Sequence, residues 1–105
     1  MLSVRVRHLA GEDLVQIAST IARDNVAASL AFVDAARESI QLLQVHPRAG
    51  PVWSEARRGR PGIRKWGVNG FRNYLIFYTA TDRDLIILRV LDGRRDLPSL
   101  LADMP

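Results

Sequence analysis

The chain has 105 residues, 48% of them hydrophobic, and carries fifteen Lys or Arg against eleven Asp or Glu for a net charge of +4. Such a length makes one domain, residues 1–105, able to bury roughly 60–70% of the surface that its unfolded chain exposes, so a core forms without covalent staples. The absence of cysteine excludes disulfides and thiolate chemistry. No apolar run is long enough to span a bilayer or to act as a signal-peptide core, so the expected location is the cytoplasm.

In chain order, Leu2, Val4 and Val6 alternate with Ser3, Arg5 and Arg7, the period-2 pattern of a half-buried strand at the edge of a sheet. Gly11-Glu12-Asp13 then opens a helix, with acids where the positive end of the macrodipole favours them, and Leu14, Ile17, Ala18 and Ile21 share one face. Asp24-Asn25 offers an N-cap for a second, longer helix whose stripe is Phe32, Ala36, Ile40 and Leu43. Its alanines allow close approach to the first helix, giving an αα-hairpin. Pro47 disfavours helical backbone at His46 and ends the second helix near Val45.

Residues 47–62 hold Pro47, Pro51, Pro61, Gly50, Gly59 and Gly62 and read as a loop, either a binding loop or a segment ordered by a partner. A meander follows. Ile63 to Val68 is a strand reversed at Asn69-Gly70, a dipeptide that tolerates the positive φ of a tight turn, and Tyr74 to Thr79 and Leu85 to Leu91 are two more strands. In Tyr74 to Tyr78 the odd and even positions are both apolar, so both faces of the sheet are covered, one by the helices and the other by something further, the first hint of a partner. After Asp92-Gly93, residues 96–102 form a short terminal helix with Leu97, Leu100 and Leu101 on one side.

Charge is uneven on this frame. Residues 1–56 carry five Arg and six acids, a net −1, whereas residues 57–105 carry ten Lys or Arg and five acids, a net +5. Between Arg57 and Arg72 lie six cations and no acid, a candidate surface for a polyanion or an acidic protein.

The order of these pieces, with His46 to Gly50 as an "HPxxG" connection and then "RPGIRKW", "GFRNYLIFY" and "ILRVLDGRRDL", resembles the RelE/ParE superfamily of toxins from bacterial type II toxin-antitoxin modules. The likeness covers essentially the whole chain. Its ending is most similar to the ParE branch, where a "RVLHGARDL" type is common; here Asp92 replaces the usual His and Arg94 the usual Ala. The resemblance implies an α+β fold: an N-terminal strand, an αα-hairpin packed on a twisted antiparallel sheet of about four strands, and a short C-terminal helix. It also implies a cognate antitoxin that wraps the toxin, contacting DNA only through that antitoxin, with Tyr74, Ile76, Tyr78 and Arg89 as candidate antitoxin contacts. RelE-branch toxins cut mRNA on the ribosome, whereas characterised ParE-like toxins poison DNA gyrase, and a shared fold does not choose between them.

Cleavage of RNA needs a base for the 2′-hydroxyl, cations on the phosphorane-like transition state and an acid for the leaving oxygen. Lys65, Arg72 and Arg95 match RelE-branch basic positions. Ile63 stands where a second lysine is usual, and neither Tyr nor His follows Asp96. Arginine stays protonated and is a poor base. With the acid-base set incomplete, the expectation is a gyrase-directed toxin without catalytic residue or cofactor, whose target contacts come from Arg64, Lys65, Arg72, Arg94, Arg95, Asp96 and Leu97. A ribosome-dependent mRNA endonuclease using Lys65, Arg72 and Arg95 is the alternative, and a member that only binds its antitoxin is a third. The same cations also read as a solvated face with exposed ion pairs, the better reading for Arg83. Arg89, inside an apolar strand, is either edge-exposed or paired with a carboxylate, from Asp96 or from the antitoxin. His8 and His46 lack a second ligand at metal spacing, so no metal site is expected. Trp53 and Trp66 read as core residues in preference to base-stacking platforms.

Overall fold

The computed structural model describes residues 1–53, 62–95 and 97. Its elements are β1 (Ser3–Val6), α1 (His8–Asp24), α2 (Val26–Val45), β2 (Arg64–Val68), β3 (Phe71–Ala80) and β4 (Asp84–Asp92). The four strands make one sheet in the order β1-β4-β3-β2, with both helices packed on one face.

Helix α1 starts at His8, three residues before the expected Gly11, so Glu12 and Asp13 fall beyond its first turn and lend nothing to the macrodipole there. Asn25 caps α2 as expected, its side-chain oxygen accepting the Ala28 N–H at 2.9 Å, and α2 ends at Val45, ahead of Pro47. The hairpin is tight because small residues meet: the buried Ser29 hydroxyl donates to the Ala18 carbonyl at 2.6 Å. Phe32 of α2 then reaches the sheet, meeting Phe71 and Tyr74 edge-on at centroid distances of 5.5 and 5.3 Å.

Strands β2, β3 and β4 form the expected antiparallel meander, with Gly70 at φ +78° in the β2–β3 turn. The expectation of a wholly antiparallel sheet fails at β1, which pairs in parallel with β4, Val4 opposite Leu85 and Val6 opposite Ile87. The helical hairpin is the reason. It delivers the end of α2 back to the start of β1, where Gln44 Nε2 donates to the Leu2 carbonyl at 2.8 Å. Strand β2 therefore begins at the end of the sheet where β1 began. After three alternating strands, β4 runs the same way as β1.

Strand β1 is an edge strand as expected, but it is not half-buried: all four residues are exposed, Val4 by 36% and Val6 by 47%. The second apolar face also departs from expectation. It is covered by the chain itself, where Trp53 and Ile63 close over Phe77, Leu88 and Leu91, and Leu97 packs against the same cluster. Trp53 meets Phe77 edge-on at 5.3 Å, and Trp66 packs against the helix-side core, so both tryptophans are core residues. Apolar residues on both faces of β3 thus require no partner. Residues 54–61 of the long loop, and the expected terminal helix over 96–102 apart from Leu97, lie outside the described residues.

Candidate functional site

The β2–β3 register is broken between Gly67 and Val68, and the break carries Arg72 back beside Gly67. A Cβ on Gly67 would lie 3.5 Å from Arg72 Cα and 3.6 Å from its Cβ and Cγ, so the arginine stem crosses Gly67. Side chains two apart on a strand share a face, so Lys65 and Arg72 stand together on the face away from the helices. Arg72 is exposed and Lys65 half-buried.

Arg94 and Arg95 belong to the turn after β4. The Gly93 N–H donates to the Asn73 carbonyl at 2.6 Å, which holds that turn against the start of β3. Asp92 organises the arginines: its carboxylate accepts the Arg94 N–H at 2.9 Å and the Arg94 guanidinium at 3.0 and 2.8 Å, and its carbonyl accepts the Arg95 N–H at 3.1 Å. The side-chain bonds to Arg94 hold the Asp92 carboxyl below its ordinary value and raise the guanidinium in turn. At the position where the resemblance leads one to expect a His, Asp92 thus supplies a carboxylate that fixes the exposed turn. Arg95 lines a groove of about 180 Å³ with Asp13, Gln16 and Thr20 of α1, and with Tyr74 and Asp92. That groove is on the helix side of the sheet, so Arg95 faces a different surface from Lys65 and Arg72.

Other candidates have structural work. Arg64 donates to the Gly50 carbonyl at 2.8 Å. Leu97 packs on the second core, and Asp96 lies outside the described residues. Ile76 and Tyr78 are wholly buried in the helix-side core, which corrects their assignment to an antitoxin surface. Tyr74 alone of that strand's candidates reaches the groove. Arg89 is paired with a carboxylate as one reading had it, but the carboxylate is Asp13. The Asp13 oxygens accept from Arg89 Nε at 2.7 Å and Nη2 at 2.9 Å, with the side chains 15% and 11% exposed. The hydrogen bond that Arg89 donates to Asp13 raises the guanidinium above its ordinary value. His8 bonds Glu12 along α1 at 2.9 Å, and His46 caps α2 through its backbone N–H.

Tyr78 shows why burial there is structural. Its hydroxyl donates to the Pro47 carbonyl at 2.8 Å and accepts the Gly50 N–H at 3.0 Å, pinning the "HPxxG" connection to β3. Burial pushes this hydroxyl above the ordinary 10.0, outweighing the Gly50 bond and the Arg64 charge, which both pull down. A folded value above the unfolded one gives stability that is complete below pH 10 and lost as pH rises through the folded value. Denaturant titrations from pH 8 to 11 are therefore expected to show a steeper alkaline decline for the native protein than for Tyr78→Phe. Equal slopes would mean that the hydroxyl ionises freely in the fold.

The family model described as "ParE toxin of type II toxin-antitoxin system, parDE" matches residues 4–97. The chain belongs to the ParE toxin family. Toxin ParE3 of Caulobacter vibrioides is 29% identical over 100 residues, covering 94% of this chain and 93% of that protein. A chain of the chromosomal ParDE TA system from P. aeruginosa shares the fold, with a TM-score of 0.65 at 20% identity over 86% of this chain and 94% of that one. Membership covers both helices, all but the first residue of the sheet and the basic turn. Among the described residues, no helix is long and apolar enough to cross a membrane.

The residues that sequence reasoning missed are Asp13 and Gln44. Asp13 stood in an acidic pair that read as a helix opening, and its true partner is 76 residues away. A carboxylate within a helix carries no local signal of such a contact.

Proposed function

We propose that this ParE-family toxin arrests growth by binding DNA gyrase, without a catalytic residue or cofactor, and that a cognate antitoxin neutralises it in the cytoplasm. The observation that carries the choice of target is the division of its cations. An mRNA-cleaving site needs its phosphate clamps and proton-transfer groups around one phosphate. Lys65 and Arg72 lie on the face away from the helices, whereas Arg95 lines the groove on the other side. Neither histidine is hydrogen-bonded to any of them. A protein-binding toxin has no such need for convergence. Arg72 near the start of β3 and Arg94 and Arg95 in the turn held against that start are exposed on different faces at one end of the sheet, an arrangement compatible with binding an acidic protein surface.

The test is supercoiling of relaxed plasmid by gyrase in the presence of the purified, antitoxin-free protein. Inhibition with trapped cleaved DNA is expected at near-stoichiometric toxin. Arg95→Ala, folded by circular dichroism, is expected to need at least about tenfold more protein, the loss of one charge-assisted contact. A folded, growth-arresting protein that leaves gyrase untouched and cuts mRNA in translated codons would make the endonuclease reading the correct one.

A further inference from the structure

The groove between α1 and the turn after β4 holds one unmatched charge. Its polar lining is Asp13, Gln16, Thr20, Tyr74, Asp92 and Arg95. Both carboxylates are already engaged: the Asp13 oxygens accept from Arg89 Nε and Nη2 and from the Val90 N–H, and the Asp92 oxygens accept from the Arg94 N–H and guanidinium. The Thr20 hydroxyl donates to the Gln16 carbonyl at 2.9 Å, a bond within its own helix. By contrast, the Arg95 guanidinium, the Gln16 side-chain amide and the Tyr74 hydroxyl meet no hydrogen-bonding partner among the described residues. Three open donors and one uncompensated positive charge thus face two carboxylates that are both taken.

That combination complements an anion with acceptor oxygens. At about 180 Å³ the groove is smaller than the roughly 300–1,000 Å³ of small-molecule sites, and its size suits a single group entering from outside. Helix α1 decides which anion. It carries Glu12, Asp13 and Asp24 against Arg23 alone. Glu12 lies one turn before Gln16 and Asp24 one turn after Thr20, so negative charge stands at both ends of the groove along the helix. A nucleic-acid strand, charged at every nucleotide, would run on into those acids and be repelled. One carboxylate on a side chain reaches Arg95 without meeting them, and its two oxygens match the fork of a guanidinium.

We infer that this groove receives one carboxylate side chain of the toxin's protein target, with Arg95 gripping its oxygens and Gln16 and Tyr74 donating to them from either wall. The inference rests on the gyrase-directed reading given above, and it adds a residue of α1 and a residue of β3 to the target surface. The Asp92–Arg94 pair is what leaves Arg95 available: a carboxylate fully occupied by Arg94 does not compete for the neighbouring guanidinium.

Gln16→Ala and Tyr74→Phe each remove one donor and spare the core, since Gln16 is exposed and a phenylalanine ring keeps the packing of Tyr74 on Phe32. In gyrase supercoiling each is expected to raise the half-inhibiting concentration about tenfold, the loss of one hydrogen bond to a charged group. In an Arg95→Ala background the same changes are expected to cost less than about twofold, because groups that grip one ligand do not contribute independently. Full inhibition by Gln16→Ala and Tyr74→Phe would overturn the groove and leave gyrase binding standing. Losses that multiply in the double variants would overturn it as well, since Arg95 and the two donors would then engage separate groups. A single-stranded oligothymidylate that binds the unaltered protein and not Arg95→Ala would overturn the carboxylate in favour of phosphate. A protein that arrests growth and leaves gyrase untouched would overturn the gyrase reading by itself. The same double-variant cycle, read as growth arrest, then supports the groove where the losses fail to multiply and overturns it where they multiply.

Discussion

Asp13→Ala is expected to destabilise the protein by about 3 kcal/mol, the low end of the cost of removing one partner from a buried charge pair, because this pair is only partly buried. The carboxylate meets three donors at once: Arg89 Nε and Nη2, and the Val90 N–H at 3.0 Å. That last donor exists because β1 stops at Val6, opposite Ile87, where the chain turns into α1. Beyond that point no strand among the described residues neighbours β4 on that side, and Asp13 substitutes for one. Truncation therefore takes the carboxylate from a largely buried guanidinium and leaves the Val90 N–H without its acceptor. Against a total stability of roughly 5 to 15 kcal/mol for a domain of this kind, the loss is a large fraction. Urea titration of the purified variant measures it. A change below about 1 kcal/mol would place the pair among solvated surface ion pairs, which contribute little.

Gly50→Ala is expected to cost about 3 kcal/mol and to lower the melting temperature by on the order of 10 to 20 °C. A Cβ at this position would sit 2.5 Å from the Lys65 carbonyl oxygen and 2.7 Å from the Tyr78 hydroxyl oxygen. Neither is the loose end of a flexible side chain. The carbonyl belongs to β2, and the hydroxyl is held by Pro47 and Gly50 itself. Relief requires the connection to move away from the sheet, which breaks both Tyr78 bonds and the Arg64 contact to the Gly50 carbonyl. The glycine is needed for close approach of two backbones. Thermal unfolding of the variant beside Tyr78→Phe separates the two contributions: the phenylalanine variant loses the hydrogen bonds alone, so it should melt above Gly50→Ala. The reverse order would mean that the connection gives way without strain.

Local chemistry in the chain was enough to place most of the elements. Asn25 capped α2, Pro47 ended it, and Asn69-Gly70 reversed the chain between β2 and β3, because each acts through its own backbone or its near neighbours. The order of motifs likewise pointed to the family that residues 4–97 match. What lay beyond reach were relations between distant segments. The alternation in β1 announced a strand, but whether Val4 and Val6 would be covered depended on a neighbour, and none of the described residues supplies one. The double-faced hydrophobicity of β3 announced cover on both sides, and only the return of Trp53 and Leu97 to the sheet decided that this cover belongs to the chain itself. The cations read as one cluster because they are close in sequence, yet the break beside Gly67 and the turn after β4 send them to two surfaces. Sequence determined the elements, their turns and the family, since those depend on contacts within a few residues. Tertiary structure decided the parallel placement of β1, the Asp13–Arg89 pair and the division of the basic residues, since each depends on which strand ends beside which helix.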